Sequence, residues 1–420
     1  MKFRCENIGM ISSADVEINK ISVIAGLNST GKSTIGKAFY CLFNGFSDIE
    51  KSIKISVKDS LYQQVVAALY PDLNLSGSST FIRGQIRKCV EELCAKREVV
   101  SLELVKEIFS QSFSEELLNK ITNEVYHKVY DVIKIPDDAL KTMIIQRMYN
   151  LEFKNQLQNA FFSDKESFVS LIIKDNETKV YIWQNKITEI KNSINIKVKA
   201  FYIDNPFIID SISSSLSPFF EEKNYSRVLL DAIKPRPDRR DFQSVVDEYL
   251  VDEKIKDIES KLSSISNGNL ALVREKGIVY HLNDKNVDLS LSNVSAGLKA
   301  FVIIKALLKN GALKENGVLI LDEPEIHLHP EWQKKFAEII VMIQKTFNMH
   351  ILISSHSPYF INALDVYEQK YGIRNDCRFY LTVPDGESAK VNDVSENLEP
   401  IYKLLFEPMQ ALENERASLS

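Results

Sequence analysis

The sequence has no run of about 18 or more apolar residues, so no membrane-spanning helix is expected. Its first residues, MKFRCENIGMISS, lack the apolar core of a secretory leader, which points to a cytoplasmic chain. Cysteine is sparse and odd in number, with five residues at 5, 41, 89, 94 and 377. No pair has zinc-ribbon spacing, and Cys89 and Cys94 stand apart from other ligand types. A disulfide scaffold and a cysteine metal site are therefore not expected, and the five read as reduced thiols. Positive charge is not in excess either. A formal net charge of −5 does not imply a surface that coats nucleic acid, though it allows a local basic patch. Internal repeats and the sustained heptads of a long coiled-coil arm are also missing.

What remains is an ordinary globular mixture, 45% hydrophobic and 26% charged, over 420 residues. That length suits one large domain with an insertion, or two to three modules. Strands are predicted at Lys2–Asn7, Ala14–Ile18 and Lys20–Gly26, then a helix from Lys32 to about Asn44. From about Phe46 to Phe162 the apolar spacing turns helical, broken at Pro71, Ser76–Ser79, Gly84 and Pro136. A hairpin follows (Ser167–Lys174 and Thr178–Trp183), then a strand at Lys197–Ile203 and helical pattern over Phe207–Ser264. A second hairpin covers Gly277–Leu282 and Val287–Leu291. After it, helices alternate with buried strands at Val318–Leu321 and His350–Ser354, which indicates an α/β layer with a parallel sheet. The expected division is 1–45 and 266–420 as two parts of one head, with 46–165 as a helical insertion. Residues 166–206 are a β segment of the head, and 207–265 a helical subdomain.

Three strand ends carry the chemistry. GLNSTGKST at Gly26–Thr34 fits G-x-x-x-x-G-K-[ST] and lies between a strand and a helix, as that phosphate-binding loop requires. Gly26 and Gly31 allow the tight backbone path. The amides across Asn28, Ser29, Thr30 and Thr34 can cradle phosphate at a helix N-terminus. Lys32 is placed to reach the β- and γ-phosphates, and Ser33 to ligate Mg²⁺. In GVLILDEPEIHLHPEW, Asp322 emerges at the C-terminal end of a buried strand, where it can hold Mg²⁺. Glu323 follows it as the candidate base for the attacking water. Glu325, His327 and His329 alternate, but without further ligands they read as a polar loop at a dimer interface rather than a metal site. His356, in HILISSHSPYF, ends a third strand and can hydrogen-bond the γ-phosphate and sense hydrolysis. LSNVSAGLKAF at Leu291–Phe301 opens a helix on small polar residues, either as a plain helix start or as an anion site.

Taken in order, these motifs resemble the ABC-type ATPases, and the spacing resembles the SMC/RecF/OLD branch. DEPEIHLHP and SSHSPYF are most similar to the OLD-like group, whose ATPases occur in anti-phage systems such as Septu, PARIS, Gabija and certain retrons. The firm resemblance covers residues 1–45 and 285–365. It implies an α/β P-loop head with a mixed sheet, ATP and Mg²⁺ as cofactors, and ATP held between two copies. Ser295 and the amides of Ala296 and Gly297 would then contact the γ-phosphate in trans, with Lys299 adding positive charge. The signature departs from LSGGQ at Ala296 and Leu298, and no Q-loop glutamine is visible; Asp204 or Asn205 stands in its place.

No Toprim, HNH, PD-(D/E)xK or HEPN pattern stands out. The implied function is an ATPase subunit of a bacterial anti-phage complex. It would form a homodimer or higher homo-oligomer that controls a separate effector, a nuclease. The alternatives are a RecF/SMC-like DNA-repair ATPase and a self-sufficient nuclease with an unrecognised site. Two basic clusters, Arg83/Arg87/Lys88 and Lys234/Arg236/Arg239/Arg240, read as solvated faces or as contacts to DNA, RNA or an acidic partner.

Overall fold

The computed structural model describes residues 1–73, 79–213, 224–235 and 242–419. The strands are β1 (Lys2–Ile8), β2 (Ile11–Glu17), β3 (Ile21–Ala25), β4 (Ser167–Ile173), β5 (Asn176–Trp183), β6 (Lys186–Lys191) and β7 (Ala200–Ile203). They continue with β8 (Gly268–Val273), β9 (Gly277–Leu282), β10 (Val287–Leu289), β11 (Val318–Asp322), β12 (His350–Ser355), β13 (Arg378–Asp385) and β14 (Ser388–Asp393). The helices are α1 (Lys32–Gly45), α2 (Ile49–Leu73), α3 (Ser79–Ala95), α4 (Leu102–Ser112), α5 (Glu115–Leu118), α6 (Asn123–Lys134) and α7 (Asp137–Phe153). After these come α8 (Asn224–Ile233), α9 (Phe242–Ser263), α10 (Ala296–Lys309), α11 (Pro330–Phe347), α12 (Pro358–Lys370) and α13 (Glu399–Ser418).

Eleven strands form one mixed sheet in the order β6-β5-β4-β1-β2-β14-β13-β3-β12-β11-β7. From β13 to β7 every neighbour is parallel. These strands are short, continuous apolar runs, the pattern of strands covered on both faces. On one face Ile21, Val23 and Ala25 join Leu319, Leu321, Ile351 and Ile353 in a single apolar cluster with residues of α8 to α12. On the other face α1 approaches closely: a Cβ on Gly36 would meet Tyr202 at 3.2 Å and Ile320 at 3.3 Å. At the far end β6-β5-β4-β1-β2 is an antiparallel arm with alternating exposure. Strands β8 to β10 make a separate three-stranded sheet.

The chain divides into two compact units. One comprises Met1–Ser47 with Gln146–Ser420, the other Asp48–Ile145. The helical insertion is therefore shorter than the expected 46–165, because Gln146–Phe153 of α7 and the segment up to β4 belong with the sheet. Residues 207–265 are not a subdomain of their own. Leu229, Leu230, Ile233, Ile255, Ile258 and Leu262 lie in the same apolar cluster as the parallel strands. Within the insertion, α2 buries Ile49, Ile53, Val57, Leu61, Val65 and Leu69, a stripe at four-residue spacing. It packs with Ile82, Ile86, Cys89, Val90 and Leu93 of α3. Arg83, Arg87 and Lys88 are exposed on α3, and all five cysteines are free. Of the second basic cluster, Arg236, Arg239 and Arg240 lie outside the described residues, and Lys234 pairs with Asp231 at 3.2 Å. Among the described residues no helix is long and apolar enough to cross a membrane.

Candidate nucleotide site

Because β3, β11 and β12 are parallel and adjacent, their C-terminal ends share one edge of the sheet. The register sets Ala25 beside Ser355 and Asp322 beside Ser354. Ligand sites of open α/β sheets lie at such edges.

The loop after β3 takes a path few side chains allow. Gly26 has φ +152°, and a Cβ there would overlap the Thr382 hydroxyl. Gly31, which caps α1, has φ +83°. Thr30 Oγ1 lies 2.6 Å from Thr382 Oγ1 and donates to Leu27 O at 2.8 Å, so β13 braces the loop. Asn28 and Ser29 are exposed, and Thr34 packs beside Gly9. Lys32 is buried. Its ammonium donates to Gly26 O at 3.1 Å and Leu27 O at 2.8 Å, and lies 3.7 Å from Glu323 Oε1. The amides of the first turn of α1, which lack intrahelical acceptors, are the remaining donors of the cradle.

Asp322 is buried and held by three hydroxyls. Ser33 donates to Oδ1 at 3.1 Å, Ser354 donates to the same oxygen, and Tyr202 donates to Oδ2 at 2.6 Å. The chain then turns sharply, with Glu323 at φ +49°, a strained value for a side-chain-bearing residue and one that clusters at functional sites. The turn leaves the Glu323 carboxylate partly open to solvent. Its Oε1 is flanked by Lys32 and by His356 Nδ1, the latter at 3.3 Å. Two oxygen donors 3.1 Å apart, Ser33 Oγ and Asp322 Oδ1, suit a hard cation such as Mg²⁺.

Thus Gly26 to Ser33, Asp322, Glu323 and His356 come together as expected from their strand-end positions. The signature residues have different neighbours. Ser295 is the exposed cap of α10, with no side-chain cap bond, followed by the half-buried Ala296. Gly297 lies against the loop after Glu323: a Cβ there would stand 2.8 Å from His327 O. Lys299 is a correction. It is 1% exposed, its ammonium pairs with Asp210 at 2.6 Å and it covers the Phe207 ring at 4.6 Å. It braces its own fold and does not offer charge at the helix tip. The expected polar loop also divides. His327 and His329 are exposed, but Glu325 is 2% exposed, and no group of three or more His, Cys, Asp or Glu among the described residues could hold a metal. Asp204 accepts a hydrogen bond from Tyr225, while Asn205 accepts from the Phe207 amide at 2.9 Å.

Tyr202, Thr382 and Ser354 are not singled out by the sequence as site residues, and Glu325 reads from it only as part of a polar interface loop. The serine of SSH and the second glutamate of DEPE sat inside quoted motifs. Tyr202 and Thr382 carried no local signal.

The family model described as an AAA ATPase domain matches residues 1–361. Among curated relatives, the Retron Ec83 probable ATPase of Escherichia coli is 26% identical over 245 residues, 51% of this chain and 43% of that protein. The Retron Vc95 probable ATPase of Vibrio cholerae serotype O1 biovar El Tor is 24% identical over 266 residues, 59% of this chain and 46% of that protein. The Septu protein PtuA of Bacillus thuringiensis is 28% identical over 113 residues, 24% of this chain and 28% of that protein. The matched stretches span less than half the length of each of these relatives. Among solved structures, the SMC head domain from Thermotoga maritima aligns at 12% identity with a TM-score of 0.38, covering 94% of this chain and 98% of that one.

Proposed function

We propose, for a chain that belongs to the AAA ATPase domain family, that it hydrolyses ATP at a site shared between two copies and so controls a separate effector protein, a nuclease. One observation carries the ATPase half. Lys32, Ser33, Asp322, Glu323 and His356 converge at the ends of three adjacent parallel strands, with Glu323 Oε1 between Lys32 and His356.

In this reading Lys32 and the loop amides hold the β- and γ-phosphates. Ser33 Oγ and Asp322 would hold Mg²⁺, which supplies charge neutralisation when bound. Glu323 takes a proton from water as the water oxygen bonds to the γ-phosphorus. The bond from that phosphorus to the bridging oxygen breaks, and ADP leaves with the electron pair. His356 hydrogen-bonds the γ-phosphate. The Ser295 hydroxyl and the Ala296 and Gly297 amides of a second copy complete the site, as in the ABC-type ATPases that the motifs resemble. Motifs for both halves of such a shared site lie in this one chain, which supports its completion by a second copy. The names of the retron and Septu relatives support a place in bacterial anti-phage defence.

The test uses purified wild type, Lys32→Ala and Glu323→Gln, with nucleotide binding, turnover and light scattering. Lys32→Ala should lose nucleotide binding. Glu323→Gln should bind ATP, lose roughly 10²–10⁴-fold in turnover and accumulate as an ATP-bound dimer. Wild-type turnover in Glu323→Gln would overturn the assignment of the base.

A further inference from the structure

Glu325 is a buried carboxylate beside the site that this reaction scheme leaves unused. Its Oε1 accepts from Ser355 Oγ at 2.5 Å and from the His356 backbone amide at 3.1 Å, and lies 4.0 Å from His356 Nδ1. Its Oε2 is buried without a hydrogen-bond partner. Burial raises its pKa, so the fold bears a cost in keeping a carboxylate here. An apolar residue would pack without that cost, but it could not accept two hydrogen bonds at the turn from β12 into α12.

The neighbouring contacts show what the two bonds accomplish. The ladder between β11 and β12 continues past the strand ends. Glu323 N donates to Ser354 O at 2.9 Å, and Glu325 then takes the next two donors, Ser355 and His356. Ser355 Oγ also accepts from Ser357 N at 3.1 Å, Ser357 Oγ donates to Gln333 Oε1 at 2.7 Å, and Gln333 Nε2 donates to Leu328 O at 3.0 Å. The circuit thus closes on the loop that holds Glu323. His356 itself is 39% exposed at the side chain, so its place beside Glu323 is fixed mainly from the backbone.

We propose that Glu325 is a positioning residue that holds His356, through its backbone amide and Ser355, in register with Glu323 for ATP hydrolysis. The hydrolytic part of this inference rests on the ATPase reading above. Glu325→Ala removes both acceptors, Glu325→Gln keeps an oxygen at the acceptor position, and Glu325→Asp keeps the charge but withdraws it by one methylene.

The first readout is hydrogen exchange of the His356 amide in nucleotide-free protein. Exchange should rise about tenfold or more in Glu325→Ala and Glu325→Asp, and stay near wild type in Glu325→Gln. The second is turnover. In Glu325→Ala, kcat should fall roughly 10–100-fold with KM for ATP within about threefold, and Glu325→Gln should recover most of the loss. In a His356→Ala background, Glu325→Ala should cost almost nothing more. Unchanged amide exchange, a raised KM at constant kcat, or full loss in the His356→Ala background would overturn the proposal. If Glu325→Ala does not fold, Glu325→Asp decides on the same readouts. If wild type turns over no ATP, the ATPase reading fails and the amide exchange alone decides this one.

Discussion

The hydroxyl of Tyr202 donates to Oδ2 of Asp322 at 2.6 Å, in the buried interior of the sheet. Burial, and then the Asp322 charge, push the pKa of Tyr202 far above its ordinary value, so the tyrosine stays a donor at any working pH. With Ser33 and Ser354 on Oδ1, the carboxylate is fixed from both sides. Tyr202→Phe should cost about 1–3 kcal/mol of stability by leaving Oδ2 short of a donor. It should also raise the Mg²⁺ needed for half-maximal nucleotide binding by about tenfold or more. A Mg²⁺ titration at fixed nucleotide reads this, and an unchanged midpoint would show that the hydroxyl does not orient Asp322.

Gly297→Ala sets helix propensity against packing. Alanine favours a helix by about 1 kcal/mol over glycine. A Cβ at this position would stand 2.8 Å from the backbone oxygen of His327, which has no flexible end to move aside. Overpacking costs about 1–3 kcal/mol. The expected net effect is a loss of about 1 kcal/mol in denaturant unfolding, and stabilisation would show that the loop yields at no cost.

Ser295→Arg separates binding from pairing. Ser295 is exposed, and its side chain makes no cap bond, so its replacement leaves the nucleotide loop of the same chain untouched. Filter binding should report wild-type affinity for ATP. Light scattering should report no ATP-driven dimer, and turnover should be lost with it. ATP-dependent dimerisation at the wild-type level would exclude the tip of α10 from the shared site.

Glu368 makes stability depend on pH. It is fully buried on α12, and burial raises its pKa to about 8, outweighing Arg374, whose Nε lies 3.9 Å away. The ordinary value is 4.5, so between the two the folded chain keeps a proton that the unfolded chain has released. Wild-type stability should therefore fall relative to Glu368→Gln as pH rises from about 4.5 to about 8, and level off above that. Parallel unfolding curves of the two proteins across that range would count against it.

The sequence made the strand-end chemistry legible because a fixed spacing has a local cause. Gly26, Gly31, Lys32, Ser33, Asp322, Glu323 and His356 all follow apolar β-branched runs, and a parallel sheet must bring such ends to one edge. It could not show which polar residues turn inward. Lys299 and Glu325 are charged residues beside motif positions, and only the packing of 206–213 against α10, or of the DEPE turn against β12, decides that they are buried. Tyr202 lay unseen in a four-residue strand, where its hydroxyl partner comes from a strand distant in sequence. The strand β8 carries little signal of its own because Gly268–Val273 is half-exposed, and it is a strand by its antiparallel pairing with β9 along its whole length. The insertion was drawn too long because α7 carries its helical pattern past Ile145 without a break.

The order of the sheet also bears on how the protein is made. β3, which launches the phosphate-binding loop, leaves the ribosome well before the strands it pairs with. Both of its sheet neighbours come from the far end of the chain, with Ile21 paired to Ile351 and Ser22 to Arg378. Thr382, which braces Gly26 and Thr30, arrives later still. During synthesis β3 is an apolar segment with two unpaired edges, and such pairings close slowly because a long loop must be ordered first. Residues 1–45 released alone should therefore expose a sticky strand rather than a nucleotide site, and refolding should recover ATP binding only with its slowest phase.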